Sequence, residues 1–334
     1  LNYQSRDDTF TIEYGTDGMT LSVVYMDSTQ GWVPTSDEAV ADVPADPSVN
    51  DNGIFGFGST GSDTGVTNLV SNTGVVASDV SAVGTARKYP AGTQYGNDKG
   101  IFGFGTTGSV TGVTNLVSNS GVVASDVSAV GTARQGPAAA TYGFDKGIFA
   151  YGNTDGSSAV VSTSNLVSNS GVVASDVTGV GTDRYDLGAC EYGTDTAVFA
   201  YGSTGSVVSL KNLVSNVGVV ADDVTGVGTA RNMLAACSYG TDTGIFGYGH
   251  DGSNASMTNL VSNVGVIATD VTGVGTDRTR LAACEYGEDK GIFGFGHVSS
   301  AVGMTNLVSN VGVVATDVSA VGTARYGPAA CSYN

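Results

Sequence analysis

Two histidines, four cysteines and one recurring Asp–Arg spacing are the features of this chain whose residue types could do chemistry. His250 and His297 stand alone, with no Ser or Cys spaced to form a nucleophile–base pair. Cys190, Cys237, Cys284 and Cys331 follow one another at intervals of 47, with no Cys-x-x-Cys pair and no nearby His pair to build a zinc site. Asp and, eight residues on, Arg recur six times: Asp79/Arg87, Asp126/Arg134, Asp176/Arg184, Asp223/Arg231, Asp270/Arg278 and Asp317/Arg325. A catalytic constellation need occur only once. A pair repeated six times reads as scaffold, tying strand ends or adjacent units through charge-assisted hydrogen bonds. The turn aspartates Asp51, Asp98, Asp145, Asp195, Asp242 and Asp289 read as side-chain-to-backbone turn bonding. Asp183 with Glu191, and Asp277 with Glu285, break the pattern together. Such carboxylate couples could meet across paired strands and hold Ca²⁺, but solvated surface charge is the reading adopted. No catalytic residue, metal or cofactor is predicted, and the chain is not expected to be an enzyme.

These residues sit in a repeat. Ile-Phe-Gly-Phe-Gly or a close variant begins at Ile54, Ile101, Ile148, Val198, Ile245 and Ile292, at spacings of 47, 47, 50, 47 and 47. Each copy carries A-C-x-Y-G, G-I-F-G-[FY]-G, N-L-V-S-N and G-V-V-A-x-D-V, closed by G-T-[AD]-R. Every block is short, rich in Val, Ile, Phe and Tyr, and bounded by Gly, Asn, Asp or Ser, which makes strands and turns. Ser-Asn-x-Gly between the third and fourth blocks supplies tight-hairpin chemistry. Four antiparallel strands in about 47 residues match one propeller blade.

The ends of the chain supply a second clue. The last copy stops at Cys331-Ser-Tyr-Asn334 with only its first strand, and the first copy starts at Asp51-Asn-Gly-Ile54, already at its second. The halves are complementary. The predicted fold is therefore all-β: a six-bladed propeller of four-stranded antiparallel blades, occupying 51–334 and closed by the C-terminal strand, which removes the exposed edges a row of units would leave.

The motif Arg-x-x-x-A-A-C-x-Y-G, I-F-G-[FY]-G and N-L-V-S-N resembles a kelch-type blade, although the Trp usual in the fourth strand is missing and the one Trp is Trp32. The wording T-N-L-V-S-N-x-G-V-V-A-x-D-V-[ST]-[AG]-V-G-T-A-R resembles repeats in virion and tail proteins of marine bacteriophages. Gly18 to Val33 is similar to a short β-segment of phage tail-fibre proteins. The resemblance implies a virion structural protein (tail fibre, spike or capsid-surface head), assembled in the host cytoplasm and displayed on the particle surface. It also implies homo-oligomerisation, contact with other virion proteins through the N-terminal segment, and a host surface glycan or protein as ligand. The alternative is a secreted or cell-surface, lectin-like adhesin of a marine microbe, placed outside the cell.

Residues 1–33 read as a small β anchor with strands at Thr9–Tyr14, Met19–Tyr25 and Gly31–Val33, too short for its own core. Residues 34–50 read as an acidic, proline-containing linker. Leu1 in place of Met reads as a processed or truncated start. A charge of −18 from 13 basic and 31 acidic residues argues against a nucleic-acid backbone as partner, and no apolar run reaches membrane-spanning length. Among the six copies, connections 1–2 and 3–4 are nearly uniform while 2–3 and 4–1 differ. Antiparallel order puts the variable pair on one face. Asp155, Tyr185, Lys211, His250, Asp251, Arg280 and His297, drawn from those connections, are the candidate ligand-binding residues.

Overall fold

The computed structural model describes residues 51–334 except 157 and 320, and four strands within 1–50. The chain divides into two units, Leu1–Pro47 and Ser48–Asn334. In the first unit β1 (Asn2–Ser5) pairs antiparallel with β2 (Asp8–Thr11), and β3 (Val23–Tyr25) with β4 (Trp32–Pro34). The strand at 2–5 is additional to those predicted, and the other three begin or end differently. The rest of the predicted anchor strands, and the 34–50 linker beyond Pro34, lie outside the described residues.

The second unit is six three-stranded antiparallel sheets, and the described residues contain no helix. In chain order they are β7–β9 (Ala91–Tyr95, Lys99–Gly103, Thr114–Val117), β10–β12 (Ala138–Tyr142, Lys146–Asn153, Val160–Val167) and β13–β15 (Gly188–Tyr192, Thr196–Ala200, Lys211–Val214). Next come β16–β18 (Ala235–Tyr239, Thr243–His250, Asn254–Val261) and β19–β21 (Ala282–Tyr286, Lys290–Gly294, Thr305–Val308). The remaining sheet joins the two ends of the unit. β22 (Ala329–Tyr333) pairs with β5 (Asn52–Gly56), Cys331 opposite Ile54, and β5 pairs with β6 (Thr67–Val70).

The predicted fourth strand is not a regular strand. Val76 bridges Val70 and Val80 bridges Thr67, with the same two isolated bridges in every copy. Three steps along β6 thus face four along the outer segment, and one surplus residue interrupts the ladder. The Asn68 amide fills the gap by donating to the Ala77 carbonyl at 3.0 Å.

Each first strand adjoins the next, from β7 through β10, β13, β16 and β19 to β22, and β22 adjoins β7. Apolar residues are buried between sheets, in one cluster per neighbouring pair. The repeated Phe-Gly-[Phe/Tyr] explains why. The second aromatic of one sheet meets the first aromatic of its neighbour edge to face, as in Phe57–Phe102 at 5.4 Å and Phe104–Phe149 at 5.2 Å. Phe55–Phe295 at 5.2 Å repeats the contact between the last full copy and the first.

The six arginines are fully buried over those rings. Arg87 stacks 3.9 Å above Phe57, donates from Nε to the Phe104 carbonyl at 2.8 Å, and donates from Nη2 to Asn115 Oδ1 at 2.8 Å. Asn115 in turn donates to Asp126, which also accepts from the Thr85 backbone and hydroxyl. Arg87 therefore faces Asp126, not Asp79 of its own copy. The same shift gives Arg134–Asp176, Arg184–Asp223, Arg231–Asp270, Arg278–Asp317 and Arg325–Asp79. Of the two readings the sequence left open, strand ends or adjacent units, the structure shows the second: a repeat identical under translation cannot say which copy supplies the partner. Thr323 carries this link to Asp79 across 244 residues of chain.

Candidate functional site

Two cycles of backbone hydrogen bonds flank the six first strands. On one side the N–H of Tyr89 donates to Gly327, Gly327 to Arg280, Arg280 to Met233, Met233 to Asp186, Asp186 to Gly136 and Gly136 back to Tyr89, at 2.7–3.0 Å. On the other, turn glycines donate to the next copy's aspartate carbonyl: Gly96 to Asp145, Gly143 to Asp195, Gly193 to Asp242, Gly240 to Asp289 and Gly287 to Asp51. Asn334 donating to Asp98 completes that cycle.

Between the cycles the first strands line a cavity of about 60 Å³, three residues from each strand. One position per strand sets its polarity: Gln94, Thr141, Glu191, Ser238, Glu285 and Ser332. The Ser332 hydroxyl donates to the Glu285 carbonyl at 3.0 Å and accepts from the Glu285 N–H. Burial pushes the Glu285 carboxyl up to about 7, opposed by a hydrogen bond from Gln94. Burial, then the Glu285 and Asp195 charges, raise Glu191 well above the usual carboxylate range. The four cysteines are free and buried on the same strands, and burial raises the thiols.

The surface-charge reading of the Asp–Glu couples is thereby corrected for the glutamates, which line the cavity. Asp183 accepts instead from Ser162, and Asp277 from Ser256, both at 2.5 Å on exposed surface. Alternation along the first strand sends the glutamates inward, and only the structure shows that this side faces the cavity. Among the described residues no group of three or more His, Cys, Asp or Glu is placed to hold a metal.

The turns sort onto two faces. Asn119 donates to Asp98, and Asn169 to Asp145, so the 3–4 and 1–2 turns meet. The 2–3 and 4–1 connections meet on the opposite face, where Ser59 bridges Tyr326 and Lys88 bridges Thr106. Of the candidate residues, His250 bridges Asn232, His297 bridges Thr279 and Tyr185 bridges Ser203 there. Asp155 and Asp251 accept hydrogen bonds inside their own loops, from Ser158 and Ala159 and from Ser253. Lys211 is not on this face. It begins β15 and donates 2.9 Å to the Gly265 carbonyl in a 3–4 turn, because a lysine there outreaches the Thr or Ser of other copies.

Arg280 sits in the first cycle beside residues that sequence reading left out. Its guanidinium lies 5.7 Å from the Tyr89 ring centre and 5.6 Å from that of Tyr326, and the two rings are 6.3 Å apart. His297 meets Tyr326 edge to face at 5.4 Å. Burial raises Asp186 to about 6, opposed by Arg280, and burial raises Tyr89 to about 12. The available signal was positional: Gly136 and Gly327 mark a left-handed site that other copies fill with Tyr, Asp, Met and Arg. No family model matches this chain, and no curated protein does.

Proposed function

We propose that the second unit is a closed six-bladed β-propeller serving as a recognition head, without chemistry of its own, on the surface of a phage particle. Closure is supported by the β22–β5 pairing, by the cluster and ring contact joining the last full copy to the first, and by the two cyclic hydrogen-bond sets. Recognition is carried by one observation. The face that gathers the variable connections also gathers Tyr89, Asp186, Arg280, His297 and Tyr326, while the opposite face repeats the same Asn–Asp turn contacts. A uniform face suits mounting and a variable face suits a ligand, here a host surface glycan or protein. Exposed valines on the outer segments, such as Val75 and Val122, both 64% exposed, favour neighbours in an assembly. The particle setting rests on the resemblance of the repeat wording to phage virion proteins.

The test replaces the 2–3 loops one sheet at a time with Ser-Gly sequences of equal length and measures binding to glycan arrays and intact bacteria. Binding lost in some replacements and kept in others is expected. Unchanged binding throughout contradicts a recognition face. Antibody labelling of purified particles at a symmetric set of surface positions is expected for the virion setting; labelling of secreted material alone favours the adhesin.

A further inference from the structure

We propose that Arg280, framed by Tyr89 and Tyr326, receives the carboxylate of an acidic saccharide. This deepens the recognition reading and rests on it. Among the described residues the other cations are engaged. The six buried arginines are held over aromatic rings and donate to Thr carbonyls, as Arg278 does to Thr276 and Arg325 to Thr323. Lys99, Lys146 and Lys290 pair with the aspartate beside each. Lys211 bonds Gly265, and Lys88 lies 3.7 Å from Asp63. Arg280 is the one arginine of the described residues whose guanidinium donates to no protein acceptor, although it is only partly exposed. A guanidinium presents donors in a planar fork that matches a carboxylate in bidentate fashion. Flanking tyrosine rings offer flat apolar faces with polar tips, suited to the C–H face and hydroxyls of a sugar.

Backbone strain points to the same cluster. All six residues of the first cycle are left-handed, with φ from 54° to 61°. Glycine adopts that conformation freely and occupies it at Gly136 and Gly327, whereas Tyr89, Asp186, Met233 and Arg280 are strained there. Packing excludes side chains at the two glycines: a Cβ at Gly327 would lie 2.6 Å from the Tyr89 ring, and one at Gly136 would lie 2.5 Å from the Asp186 carboxylate. Arg280 and three further strained residues, Tyr89, Asp186 and Met233, therefore share one backbone cycle, and the Arg280 guanidinium lies between the Tyr89 and Tyr326 rings. On a chain of net charge −18, an anion would be held at this point by these local contacts and not by the overall field.

The probes are 3′-sialyllactose and oligogalacturonate, with lactose and sulfated lactose as comparisons, titrated calorimetrically against the full chain. Both carboxylated sugars are expected to bind at least tenfold more tightly than lactose. Arg280→Gln is expected to weaken them about 10- to 100-fold, the loss of a charged hydrogen-bonded pair. Arg280→Lys should fall between, with lactose affinity unchanged in both. An unaltered melting transition identifies folded variants, and Tyr326→Ala supplies a second route to the same loss. Absent or Arg280-independent binding of the carboxylated sugars, or preference for the sulfated one, overturns the inference. If the array and cell binding of the unaltered chain persists in that case, the recognition reading stands without it; if that binding is absent too, both fall.

Discussion

Replacing Glu285 by Gln should make the protein more stable at alkaline pH and leave it unchanged in acid. Glu285 lines the central cavity, where burial raises its carboxyl from 4.5 to about 7. The folded chain thus holds this proton more tightly than the unfolded chain. The resulting stability is fully present below about pH 4.5 and is lost as pH rises through about 7. At 1.36 kcal/mol per pH unit, a gap of about 2.5 amounts to about 3 kcal/mol above pH 8. Gln matches the shape and volume of the protonated carboxyl but carries no charge, so it retains that stability at every pH. For a unit of this size the gain corresponds to roughly 5 °C in Tm. Melting curves of the two proteins at pH 4 and pH 9 supply the comparison. Coincident curves at pH 4 with Glu285→Gln melting higher at pH 9 are expected. A variant that melts lower at pH 9 would refute the burial argument and mean that the ionised carboxylate is held by favourable contacts.

Asp79, Asp126, Asp176, Asp223, Asp270 and Asp317 are held below the usual carboxylate range: burial raises them, but the combined hydrogen bonds from Thr and Asn outweigh it. Their contribution is present above about pH 4 and is lost as pH falls through the depressed values, so Asp126→Asn should flatten the acid limb of a denaturation profile. Arg231→Leu removes bonds to the Tyr248 carbonyl and Asn259 and a ring contact at 4.3 Å. It should cost about 3–5 kcal/mol, read by denaturant midpoint. Asp186→Gly relieves a left-handed aspartate and removes a carboxyl raised to about 6; it should stabilise the fold at pH 8 by about 2 kcal/mol and by less at pH 4. A thiol reagent at pH 8 should modify none of the four buried cysteines until the chain unfolds.

Much of the architecture was legible because the repeat wrote it six times. The Ile-Phe-Gly-[Phe/Tyr] phrase located every second strand, and the complementary ends at Asp51 and Asn334 pointed to the β22–β5 pair. The outer segment misled because Val76 and Val80 look like a strand, and the surplus residue between their bridges leaves no compositional trace. The partner of each arginine was invisible for a different reason: sliding the pattern by one copy changes no spacing. At the candidate site His297 and Arg280 stood out by type. Tyr89, Asp186 and Tyr326 did not, because what unites them is a left-handed backbone cycle that brings six connections together, and a sequence records neither φ nor convergence.

Ring closure is tested most directly by the distance between residues 51 and 334. Spin labels at Asp51→Cys and Asn334→Cys can be attached while the native thiols remain buried, and pulsed dipolar spectroscopy reads their separation. With the Asp51 N–H bonded to the Asn334 carbonyl at 3.2 Å, a closed ring predicts one short, narrow distance. Six sheets packed in a row at about 10 Å intervals would place the ends about 50 Å apart, and a distance of that order would contradict the ring and the separation of its two faces.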